Sequence, residues 1–127
     1  MLTISGFTIC FLTALLTGLS LNISRLRIRY RASYGNADHR ELEVAVRAHG
    51  NCLEQTLLFM ALLVIAELMQ SPSYVLAVLA VGFAAARILH AMAIFTGQLL
   101  ARQIAHVISL LMQLSCSGMI FWTLVAA

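Results

Sequence analysis

Four apolar stretches divide the chain, and polar residues gather in the links between them. No charged side chain interrupts residues 2–24. After the polar segment "RLRIRYRASYGNADHRELE", with its Tyr-Gly-Asn turn signal, a helical pattern resumes near residue 42 and runs to about 69. "QSPS" breaks that pattern, and Pro72, the only proline, suits the first turn of a third helix over 73–95. A fourth stretch covers 101–125. A bilayer core about 30 Å thick is crossed by about 20 helical residues, so each stretch is long enough to span. The pattern predicts an all-α membrane protein, a four-transmembrane-helix bundle forming a single domain over residues 1–127. The apolar start has no charged n-region and outruns the apolar core of a secretory signal, so it is expected to stay as a span.

Composition agrees with the pattern. Hydrophobic residues make up 61% of the 127 and charged residues only 10%, against about 25% in soluble domains. The net charge of +3 rests on eight basic residues, all arginine. No basic stripe with interleaved aromatics accompanies them, so nucleic acid is not an expected partner, whereas membrane lipid is. Arg25, Arg27, Arg29, Arg31, Arg40 and Arg47 lie at or between the first two spans, and Arg102 lies between the last two. The link around Ser71 has no base. The positive-inside rule then puts both arginine-bearing links in the cytoplasm and both termini on the non-cytoplasmic side, in what is expected to be a bacterial inner membrane. Cys10, Cys52 and Cys116 stand singly in apolar context and are expected to be packed thiols. Small residues crowd the third span ("AVLAVGFAAAR") and recur as Ser115, Ser117 and Gly118; such faces serve close helix approach within a subunit or between subunits.

Polar residues inside the spans carry the functional signal. Arg47, Asn51 and Glu54 recur at spacings of four and three and share one helix face, as do Arg87 and His90. Hung from the short link at 70–73, Glu54 and Arg87 both lie roughly 20–25 Å from that end, and Asn51 comes level with His90. A short link makes these helices antiparallel neighbours, so Glu54 is expected to meet Arg87, and Asn51 to meet His90. An unpaired charge at that depth costs at least about 2.5–3.5 kcal/mol. With Arg25 nearer the cytoplasm, these residues outline either a polar clamp for helix packing or a cationic site for a small anionic ligand. His49 is expected at the interface and Glu67 in water near the outer end; His106 either snorkels or faces the pocket. Asp38, His39, Glu41 and Glu43 look like a solvated loop or an interfacial helix start, without metal-ligand spacing.

These residues also make the chain resemble the MAPEG family (membrane-associated proteins in eicosanoid and glutathione metabolism). Arg47, Asn51 and Glu54 match that family's R-x-x-x-N-x-x-E on its second helix, and Arg25-Leu26-Arg27 its basic end of the first. Arg87 and His90 match Arg-x-x-His on the third, and "QLSC" at 113–116 resembles part of the fourth. The resemblance implies a homotrimer with glutathione held between subunits near the cytoplasmic face, as a bound co-substrate. It makes Arg25, Arg47, Asn51, Glu54, Arg87 and His90 candidate ligand-binding residues, with no metal. The chain departs from catalytic members at Gly50, often arginine there. It departs again at Ala105 and Ser109, where an arginine and a tyrosine that serve the thiol are expected; Arg102, one turn earlier, is a possible substitute.

The expected function is binding of glutathione or a similar small anionic thiol. A glutathione transferase or peroxidase reaction on a lipophilic electrophile, as second substrate, would be built on that binding. A thiol of pKa about 8.5 reacts at neutral pH only when a cation or hydroxyl stabilises its thiolate. Two rivals belong to other classes. A non-enzymatic binding or scaffold protein would bind without turnover. A small four-span transporter would carry its membrane carboxylate in the first span, which here has no acid.

Overall fold

The computed structural model describes residues 2–35 and 38–126; Asn36 of the expected turn lies outside them. Four helices account for nearly all of the described chain: α1 Thr3–Tyr30, α2 Arg40–Leu68, α3 Ser73–Thr96 and α4 Leu99–Ala126. All four are long and apolar enough to cross a membrane, and no strand occurs among the described residues. The fold is the expected all-α membrane bundle. α2 and α3 form its middle, α1 packs against both on one side, and α4 packs against both on the other.

Helix ends follow local chemistry. Expected to stop near residue 24, α1 runs to Tyr30 because Leu26 continues its apolar face, buried against Leu42 and Ala45. Arg31 then closes it in the left-handed region at φ 51°, with the Ala32 N–H donating to the Arg27 carbonyl at 3.0 Å. Gln70 closes α2 the same way at φ 58°, and the Ser71 N–H reaches the Ala66 carbonyl. Pro72 stands just outside α3, not in its first turn; its carbonyl accepts the N–H groups of Val75 and Leu76. Gly97, at φ 71°, ends α3 with a conformation that costs glycine little and lets α4 begin at once.

Packing joins the helices at two levels. Toward the pole that holds the 68–73 link, Leu12, Phe59, Leu63, Leu76, Phe83 and Cys116 form the main apolar core. Within it the Phe59 and Phe83 rings stack with centroids 4.0 Å apart. A Cβ at Gly82 would lie 3.0 Å from the Met112 sulfur, so part of the small-residue face of α3 serves close approach of α4 within the chain. Ser115, Ser117 and Gly118 face outward instead.

At the opposite, arginine-rich pole, α1 is tied to the start of α2. Tyr30 donates its hydroxyl to Glu41, Arg29 approaches the same carboxylate at 3.8 Å, and the Tyr30 and His39 rings stack at 3.9 Å. Glu41 and Glu43 occupy the first turn of α2, where a helix dipole favours acids. Of the two readings open for this segment, a helix start holds for Glu41 and Glu43, while Asp38 and His39 lie in the link before it.

Glu67 corrects the expectation that it merely reaches water. Its carboxylate caps the start of α1: Ile4 N–H donates to Oε1 and Ser5 N–H to Oε2, each at 2.8 Å, and the Ser5 hydroxyl also donates to Oε2. The first N–H groups of a helix have no partner in that helix, and α1 has no side-chain cap of its own. An acid from α2 fills that role.

Candidate functional site

The polar seam between α2, α3 and α4 is organised around Arg87, which is completely buried. Its Nη1 donates to Asn51 Oδ1 on α2 at 3.0 Å, and its Nη2 donates to Ser109 Oγ on α4. Its guanidinium carbon lies 5.6 Å from the centre of the Phe83 ring. Nε has no hydrogen-bond partner, and no carboxylate neutralises the group among the described residues. One turn on, Gln113 of α4 donates its side-chain amide to the Gln55 carbonyl of α2 at 3.1 Å. The seam therefore fixes α4 to the central pair by polar contacts.

Beside Arg87 opens a cavity of about 400 Å³, lined by Arg47, Gly50, Asn51, Glu54, His90, Ile94 and Arg102. Four of the six candidate residues line it, and Arg87 stands behind it, held to one of its walls through Asn51. Helical periodicity explains the meeting. Arg47, Asn51 and Glu54 follow one side of α2, while His90 is one turn from the polar anchor on α3. His90 is buried, with its ring centre 6.2 Å from that of His106 on α4, so His106 faces the seam. His49 lines no part of the cavity.

Two expected pairs are not formed. Glu54 is exposed and has no ion pair among the described residues, and Arg87 takes Asn51 where Glu54 was expected. Matching by depth along the axis ignored rotation about it. Residues three apart differ by about 60° around a helix, which turns Glu54 out of the α2–α3 seam when Asn51 faces into it. Asn51, expected to meet His90, is engaged with Arg87. Arg25 is not brought to the cavity; it is exposed on α1 and donates to Asn22 on its own helix at 2.9 Å.

At the start of α4, Ala105 is buried and brings no polar group to the cavity. Ser109 is also buried, and its hydroxyl donates to the Ala105 carbonyl at 2.9 Å while accepting from Arg87. Its single proton is committed to the helix, so it is not free to donate to a ligand. Arg102 instead lines the cavity with an exposed side chain and has no acidic partner among the described residues. Sequence reasoning did not foresee the role of Ser109 as a buried acceptor. Its position one helical repeat beyond Arg102, on the side of α4 that carries Gln113 and Cys116, was the available signal.

Chemically the cavity offers two guanidinium groups, one carboxylate, an amide and an imidazole around a single open space. Among the described residues no group of three metal-ligating side chains occurs. The arrangement suits a small molecule bearing two anionic groups and one cationic group.

Comparison with known proteins completes the description. The model of the MAPEG family matches residues 5–122. The chain is 30% identical over 76 residues to "Inner membrane protein YecN" of Escherichia coli strain K12, and equally so to the protein of that name from strain O6:H1. Each match covers 60% of this chain and 58% of the relative. No solved structure matches.

Proposed function

Starting from the premise that the chain belongs to the MAPEG family, we propose that it binds glutathione, or a similar small anionic thiol, in the cavity beside Arg87. The observation that carries this reading is charge complementarity. Glutathione bears two carboxylates and one ammonium, and the cavity offers Arg47 and Arg102 beside Glu54. Arg47, which also holds Glu43 at 2.8 Å, and Arg102 pair with the carboxylates, and Glu54 accepts from the ammonium. Asn51, whose oxygen is taken by Arg87, has its amide N–H groups left to donate to a peptide carbonyl. The relatives' name, together with four apolar helices, supports an inner-membrane location. Both termini on the non-cytoplasmic side then bring the cavity to the cytoplasm, where thiols are kept reduced.

The cavity is open to one side, and Glu54 and Arg25 are exposed charges on helices that cross a membrane. A second copy of the chain set against α1 and α2 would cover both, consistent with the homotrimer that the family resemblance implies. Light scattering corrected for bound detergent should give a mass of three chains, and a monomer would contradict it.

Binding without rapid chemistry is the more specific form of the proposal. Ala105 has no polar side chain, and the Ser109 proton is spent on a backbone carbonyl, so Arg102, already assigned to a carboxylate, is the one cation that α4 brings to the cavity. A non-enzymatic binding protein is the second reading, favoured by that same loss of donors. Ultraviolet absorbance of bound thiolate, followed with turnover of an aromatic electrophile at neutral pH, tests it. Little thiolate signal and slow or undetectable turnover are expected. A strong signal with brisk turnover, lost in Arg102→Ala, would make the protein a glutathione transferase with Arg102 as its activating cation.

A further inference from the structure

A second cavity, of about 290 Å³, adjoins the first toward the arginine-rich pole and shares Arg47, Ile94 and Arg102 with it. Its own polar walls are Arg40, Glu43 and Gln98, and Leu99 closes it at the start of α4. Three guanidinium groups thus face one carboxylate. Glu43 is already bound to Arg47 at 2.8 Å, so no carboxylate in the lining is left to oppose Arg40 and Arg102. α4 begins at this wall, and its first intrahelical hydrogen bond runs from the Arg102 N–H to the Gln98 carbonyl at 3.1 Å. The N–H groups of the residues between them have no partner in the helix and add positive potential to the cavity.

Depth narrows the choice of anion. α2 has 29 residues and α4 has 28, so each is about 42–44 Å long, well beyond a hydrocarbon core of about 30 Å. Arg40 and Leu99 are the first residues of these helices, so helices centred on the hydrocarbon core would carry the cavity in the headgroup layer. Exposed Leu99 and Leu100 continue from its rim as an apolar surface. An anion held here would have phosphate at its charged end and acyl chain beyond it.

We propose that this cavity binds the phosphate group of an anionic phospholipid from the surrounding leaflet. Basic pockets between membrane helices hold acidic lipid headgroups through the attraction of clustered arginines, reinforced by bidentate guanidinium–phosphate hydrogen bonds. The two cavities share Arg47 and Arg102, but Arg40 and Gln98 line this one and not the first, so substitution at Arg40 separates this inference from the thiol reading. Phosphate free in solution shares the recognising chemistry, and Leu99 and Leu100 are the reason to favour the lipid.

The test uses the full chain in neutral detergent, titrated with short-chain phosphatidylglycerol, phosphatidylcholine of the same chain length, or inorganic phosphate. Native mass spectrometry reads bound lipid, and thermal unfolding reads the phosphate arm. Phosphatidylglycerol should bind about fivefold or more tightly than phosphatidylcholine. Arg40→Ala should bring the two lipids within about twofold of each other, Arg40→Lys should keep most of the preference, and neither should shift glutathione binding by more than about twofold. Stabilisation by inorganic phosphate, lost in Arg40→Ala but without a lipid preference, would overturn the lipid source and leave a soluble phosphate site. Equal binding of the two lipids by the unaltered protein with no response to phosphate, or a preference that survives in Arg40→Ala, would overturn the proposal.

Discussion

Arg87 concentrates the energetics of the protein in one side chain. A buried guanidinium with no acid beside it is tolerated because Asn51 and Ser109 accept from its two terminal nitrogens and the Phe83 ring lies nearby. Removing either acceptor strands a charged donor and should cost about 1–3 kcal/mol. Asn51→Leu and Arg87→Met should therefore each lower thermal stability in detergent, and together should do less harm than their sum. Glu54→Ala and Arg87→Ala should instead combine additively, within about 0.5 kcal/mol, since the two do not touch. A coupling between Glu54 and Arg87 larger than that between Asn51 and Arg87 would show the pairing described here to be wrong. The sequence made the polar set legible, because charged and amide groups within apolar spans stand out by their cost. It did not reveal which member meets which, because spacing gives depth and face but not the rotation of one helix against another.

At the scale of elements, the helices could be read from apolar length, and their ends could not. Leu26 and Leu42 extend the packing past the last uncharged residue, so counting charges ended α1 too early. The Glu67 cap left no local signal at all, since its partners are backbone N–H groups more than sixty residues away. That cap fixes the start of α1 against the end of α2. Glu67→Ala should destabilise the protein by about 1–2 kcal/mol, within the range for loss of a helix cap, and Glu67→Gln by less. Amide hydrogen exchange at Ile4 and Ser5 should rise sharply in Glu67→Ala while the Phe59–Phe83 core stays protected. Unchanged exchange at those two amides would contradict the capping role.

For the molecule as a whole, the division of labour follows the membrane normal. One pole is apolar, closed by Phe59, Phe83 and their neighbours, and the other carries nearly all the arginines and both basic cavities. The positive-inside rule predicts a cytoplasmic second pole from the arginine distribution, so a reporter active only outside the cytoplasm should work when fused at either end of the chain. Activity confined to cytoplasmic reporters would invert the topology and move the cavities to the wrong compartment for a reduced thiol. The central claim is that the cavity lined by Arg47, Asn51, Glu54, His90 and Arg102 is a thiol-peptide site. Calorimetric titration of glutathione into the purified protein and its Arg47→Ala variant tests it most directly. Saturable binding by the unaltered protein, weakened about tenfold or more in the variant, is the predicted result, as expected when a charge-assisted contact is lost. No heat of binding in a correctly folded protein, or equal affinity in Arg47→Ala, would contradict it.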